Sequence, residues 1–193
     1  MNLVERVKRI LLTPRTEWAV IDAEPATTAG LYTGYIMPLA AIGPIAQFIG
    51  YSLVGMRIPF GGGVYRTPMG SGITGAVVGY VLTLVGVYVL ALIIDGLAPS
   101  FDGTKSRIQA LKVAAYSATA GWLAGIFAII PMLGILGLLG LYSLYLLYLG
   151  LPVLMKAPQE KAMGYTVVVI VAGIVLAVVL ATVVGRFMAM PVA

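Results

Sequence analysis

Five stretches of this 193-residue chain are apolar over roughly the 20 residues that a helix needs to cross a bilayer. No other feature constrains the fold as strongly. They run from about 30 to 55, 73 to 97, 113 to 130, 133 to 155 and 163 to 185. In hydrocarbon a segment must satisfy its own backbone groups, so each is expected as a helix. The fifth, TVVVIVAGIVLAVVLATVV, is rich in β-branched residues and would be a strand candidate in water. Its length, and its lack of the alternation an outer-membrane strand needs, decide for helix. Composition agrees: 61% of residues are hydrophobic and 10% charged, against about 45–50% and about 25% in soluble domains. A water-soluble globular domain is excluded. The expected fold is all-α, a single polytopic membrane domain over 1–193. Five transmembrane helices follow an N-terminal interfacial amphipathic segment, residues 1–29.

The twelve Lys and Arg residues set the expected orientation. Arg6, Lys8, Arg9, Arg15, Lys105, Arg107, Lys112, Lys156 and Lys161 fall on the side of the N-terminus. Arg57, Arg66 and Arg186 fall on the other side. The positive-inside rule then places the N-terminus in the cytoplasm and the C-terminus outside. Met1 to Leu12 lacks the apolar core of a signal peptide. Leu3, Val4, Val7, Ile10 and Leu11 share one helical face, with Glu5, Arg6, Lys8 and Arg9 opposite. That pattern predicts a helix lying in the membrane surface. Thr13-Pro14 is expected to cap and start a second short helix, and Trp18 to sit in the interfacial aromatic belt.

Cysteine and histidine are both absent. Disulfides, thiolate nucleophiles and most zinc chemistry are thereby excluded. No nucleophile–base pair, paired carboxylates or metal-ligand cluster is present, so no enzyme activity and no cofactor is expected. The basic residues flank apolar runs. Their expected partner is a bilayer with anionic headgroups, and nucleic acid is not expected. In the first outer loop, Gly61-Gly62-Gly63 lacks the Lys-Ser/Thr of a phosphate-binding loop.

Small residues recur through the spans. Gly30/Gly34, Gly75/Gly79 and Gly121/Gly125 have four-residue spacing, and Gly134, Gly137 and Gly140 recur at three. They predict close helix packing, with a homo-oligomer or another membrane protein as a further partner. Pro131 to Gly134 should form a tight turn between the third and fourth spans. Asp95 ends the second span, with Asp102, Lys105, Arg107 and Lys112 nearby. Two readings stand for it: a solvated edge with local ion pairs, or a site for a partner, ion or lipid headgroup. Lys112 and Tyr116 share a helical face at i, i+4 and could join such a site. Tyr142, Tyr145 and Tyr148 stripe the fourth span, either lining a polar path or bonding across helices. Pro38, Pro44 and Pro152 should kink their helices. Contacts with protein or lipid are the leading expectation. A channel, transporter or scramblase, and a subunit of a larger assembly, remain open.

Four pieces carry a resemblance. They are TPRTEWAVID (Thr13–Asp22), DGLAPSFDG (Asp95–Gly103), ALKVAAYSATAGWLAGIFAIIP (Ala110–Pro131) and YSLYLLYLGLPVLMKAPQEKAMGY (Tyr142–Tyr165). In their order and spacing the chain resembles the Yip1 family, in its small bacterial inner-membrane form. The resemblance implies five helices, a cytoplasmic N-terminus and a short outer C-terminus. Eukaryotic relatives act in vesicle traffic, bind Rab-type GTPases and interact with one another, and they carry a longer cytoplasmic N-terminal region, which this chain lacks. That role is not expected to carry over.

Overall fold

The computed structural model describes residues 2–57 and 63–189. Five helical segments are long and apolar enough to cross a membrane: Thr28–Val54, Met69–Phe101, Arg107–Ile129, Pro131–Leu154 and Gln159–Arg186. They are called the first to fifth spans. The second, third and fifth start several residues earlier than apolarity alone suggests. Their first turns carry polar residues, such as Arg107 and Gln159, which a hydropathy reading assigns to loops. Lys112 consequently lies within the third span and is buried.

The third span is the hub. Its eight consecutive residues Ala110 to Ser117 are all buried, as expected of a helix surrounded by protein. It has the lowest mean hydropathy of the five, 1.2, with 50% of its window buried; the fifth has 3.3 and 6%. The most polar span takes the centre, and the most apolar ones face outwards, where lipid replaces protein.

The first and fourth spans depart most from regular α-helix, and the second and third each end in a 3-10 segment, Ala98–Phe101 and Gly125–Ile129. Met37 donates to the Tyr32 carbonyl, five residues back, in a π-turn over Tyr32–Ile36. The wider turn comes just before Pro38, whose ring would crowd the carbonyl four residues earlier in a regular helix. Pro44 follows a break at Ala41. In the fourth span Pro131–Leu141 is a 3-10 helix, and Tyr142–Leu154 continues as α-helix around the internal Pro152. The three-residue recurrence of Gly134, Gly137 and Gly140 matches this period, which stacks positions i and i+3. The turn into this span is shorter than expected. Ile130 alone is extended between the third and fourth spans.

Of the outer loop, Met56–Arg57 (β1) and Val64–Tyr65 (β2) pair antiparallel. The Gly61-Gly62 reading lies outside the described residues.

Helix packing uses some of the spaced glycines and others besides. A Cβ on Gly125 would lie 3.0 Å from the Gly43 Cα, and one on Gly140 would lie 3.2 Å from the Gly121 Cα. Gly121 and Gly125 therefore bring the third span onto the fourth and the first. Gly75 is buried. Gly34 and Gly79 would meet nothing within 4 Å, so four-residue spacing alone does not make those two positions contacts. The tightest approach is at Gly50, where a Cβ would sit 1.9 Å from the Ala128 carbonyl oxygen. Both partners are backbone, so the helices must separate. Gly50→Ala is expected to cost about 1–3 kcal/mol, measured by thermal unfolding in detergent. Gly34→Ala should leave stability unchanged.

Candidate functional site

The polar residues that the fold draws together lie beneath the N-terminal hairpin. Its helices are α1 (Leu3–Leu12) and α2 (Pro14–Ala23). Asn2 caps α1 by accepting from the Val4 amide. Thr13 does not cap α2 with its side chain; its hydroxyl donates back to the Arg9 carbonyl and closes α1. Pro14 then starts α2 at a position where no amide donor is needed.

The hairpin is packed against the bundle. Ile10, Trp18 and Ile21 are fully buried. The face of α1 that turns inward is rotated from the expected one: Val4 is 57% exposed and Arg6 only 5%. Arg6 lies one turn before Ile10, so helical geometry puts both on one face. On α2 the buried set is Pro14, Glu17, Trp18 and Ile21, a stripe at i, i+3, i+4, i+7 with a carboxylate in it. Trp18 is 0% exposed, so its ring is covered by protein. A Cβ on Gly150 would lie 2.7 Å from its ring, so the glycine is what lets α2 approach the fourth span.

Arg6 and Glu17 form an ion pair at 2.5 Å, with side chains 6% and 3% exposed. The second Arg6 nitrogen donates to Glu24, and the guanidinium carbon lies 5.6 Å from the centre of the Tyr116 ring, within cation–π range. Tyr116 also packs on Tyr35, at 4.5 Å between centroids, and edge-on to Trp18. The Tyr35 hydroxyl and Thr119 share a 2.7 Å hydrogen bond. Lys112 donates to the Ile21 and Glu24 carbonyls at 2.8 and 2.6 Å. These lie at the end of α2, where carbonyls lack helical partners and the dipole favours a cation. Gln109 donates to Asp22 at 3.0 Å, and Lys156 pairs with the same carboxylate. The hairpin is thus fastened from the third and fourth spans and from Lys156 just after the fourth.

Burial opposes the charge on Arg6, but its hydrogen bond to Glu24 and the nearby carboxylates outweigh this and raise its pKa. The same hydrogen bond, before any other cause, holds the Glu24 carboxyl below the ordinary glutamate range. A depressed carboxyl stabilises the fold above its unfolded pKa, and the gain is lost as pH falls through the folded value. Hairpin docking is therefore expected to hold from neutral pH down to the usual glutamate range and to weaken below it. Trp18 emission, followed in Trp122→Phe protein, would report this step. Glu24→Gln should abolish the part that this residue contributes.

Among the residues singled out from sequence, Lys112 and Tyr116 belong to this cluster. Asp95 and Asp102 do not. Asp102 takes a left-handed turn after the second span and pairs with Lys161. Asp95 is half-buried, and its Oδ1 has no hydrogen-bond partner among the described residues. Lys112 does not bond to Asp95: its two hydrogen bonds go to the Ile21 and Glu24 carbonyls. Tyr142 and Tyr145 are 36% and 38% exposed on the outside of the bundle, and Tyr142 donates to the Leu11 carbonyl at 3.0 Å. They line no path with Tyr116, which is buried on the Arg6 side. Arg6, Glu17 and Glu24 were missed as site residues. Their signal was positional: Arg6 with Ile10, and Glu17 with Trp18 and Ile21.

A family model described as the Yip1 domain matches residues 8–180. The chain is also similar to the inner membrane protein YohC of Escherichia coli strain K12. The two are 32% identical over 172 residues, covering 86% of this chain and 87% of that one. The YohC protein of E. coli O6:H1 matches to the same extent. No solved structure matches the chain.

Proposed function

The chain belongs to the Yip1 family, and from that premise we propose that it is a non-enzymatic inner-membrane protein acting through contacts with protein or lipid. The carrying observation is the docked hairpin. The charged side chains where it meets the bundle are engaged in internal bonds, Arg6 with Glu17 and Glu24, and Lys112 of the third span with the Ile21 and Glu24 carbonyls. These groups fasten a surface and are not held free for proton transfer or nucleophilic attack. The hairpin end also gathers Lys8, Arg9, Arg15, Lys105 and Arg107. By the positive-inside rule it faces the cytoplasm, with the C-terminus outside. The inner-membrane location follows the E. coli relative.

Alkaline phosphatase fused after Arg186 should be active, and the same fusion at the N-terminus inactive. The opposite pattern would reverse the topology. Photocrosslinking from Lys8 in native membranes should capture a second copy, another membrane protein or a lipid. Capture of none of these would count against the reading. Liposomes holding the purified protein should show no solute flux above empty ones.

A further inference from the structure

We propose that a cleft between α2 and the junction of the fourth and fifth spans binds the phosphate group of a phospholipid. The cleft encloses about 140 Å³. Its polar lining is Arg15, Trp18, Tyr148 and Gln159, and Leu149 and Pro152 are among its apolar wall. Every one of those polar side chains can donate a hydrogen bond, and none is a carboxylate.

Three observations make this an anion site. The Trp18 Nε1 is buried and has no acceptor among the described residues. The Gln159 amide donates to the Tyr148 hydroxyl at 3.4 Å, which leaves the Tyr148 proton for another acceptor. Arg15 takes part in none of the ion pairs among the described residues, whereas Arg9, Lys156 and Lys161 each have a carboxylate. An arginine fork fits phosphate in two-point contact. Gln159 also opens the 31-residue fifth helix, whose first amides present the positive end of its dipole.

Depth points to a lipid as the source of the phosphate. A 3-10 helix rises about 2.0 Å per residue and an α-helix about 1.5 Å. With the uncharged turn at Ile130 set at the far surface, about 30 Å of hydrocarbon brings the near headgroup level close to Tyr148. An anion there meets Arg15, while its glycerol and chains run toward the bilayer centre, back along the fourth span on the Tyr145 side of Tyr148.

This rests on the reading that the protein works through contacts, and it specifies the lipid one. The test is native mass spectrometry of the purified full-length protein titrated with phosphatidylglycerol. The wild type should retain the lipid. Arg15→Gln should weaken retention roughly tenfold, and Trp18→Phe, which keeps a ring but removes the donor, a few-fold. Lys105→Gln, on the same surface but outside the cleft, should match wild type. Millimolar inorganic phosphate should not displace the lipid. Equal retention by Arg15→Gln would overturn the proposal, and displacement by inorganic phosphate would overturn the lipid as the source. Failure to retain lipid while photocrosslinking still captures a protein would remove this proposal and leave the broader reading standing.

Discussion

Arg6→Met is expected to destabilise the docked hairpin by about 3–5 kcal/mol, the range for breaking one side of a buried ion pair. Arg6 is the only side chain bonded to the Glu17 carboxylate among the described residues. Glu17 is 2% exposed, so without the guanidinium its charge stays buried with no partner. Glu24 is less affected, since its side chain is 44% exposed and water can replace the lost bond. The methionine also forfeits the cation–π contact with Tyr116. The double variant Arg6→Met/Glu17→Leu should recover most of the loss, because a well-packed apolar pair removes both desolvation costs. Protease sensitivity of the hairpin in detergent, followed against denaturant, would separate these outcomes. A double variant no better than the single one would mean that the pair is not buried as described.

Trp18→Ala carries the next largest expected effect, about 3–5 kcal/mol for removing a buried tryptophan. The ring is fully buried between Gly150 and Tyr116, and the void would separate α2 from the fourth span. Gly150→Leu alone should also destabilise, since even a Cβ would meet three ring atoms at 2.7, 2.8 and 2.9 Å. Combined, the two changes should be less harmful than their sum, because the leucine refills part of the space the indole leaves. Strict additivity in thermal unfolding would argue that these positions do not touch.

The membrane architecture was legible because five long apolar runs leave few alternatives, and helix is the form that satisfies each backbone within itself. The span starts were legible only to within a turn or so, since Arg107 and Gln159 begin helices that continue past the bilayer edge. The site was less legible. Reading Arg6 by its charge assigns it to water. Reading it by position places it beside Ile10, and its burial then requires a carboxylate. Glu17 sits likewise among Pro14, Trp18 and Ile21. What no local pattern contains is the long-range part. Arg6 meets Tyr116, and Lys112 caps α2 from 91 residues away. Lys112 and Tyr116 were identifiable as a pair on one helical face, but their partner was not Asp95. The tyrosine stripe misled because a polar ring on an apolar helix is equally at home on an outer surface, where Tyr142 reaches the Leu11 carbonyl.

The most direct test of the central claim, that the N-terminal hairpin is built into the bundle, uses the chain's two tryptophans. In Trp122→Phe protein reconstituted in vesicles, Trp18 alone fluoresces. A docked hairpin predicts blue-shifted emission that acrylamide in the water does not quench. Strong quenching would place Trp18 in contact with water and contradict the account.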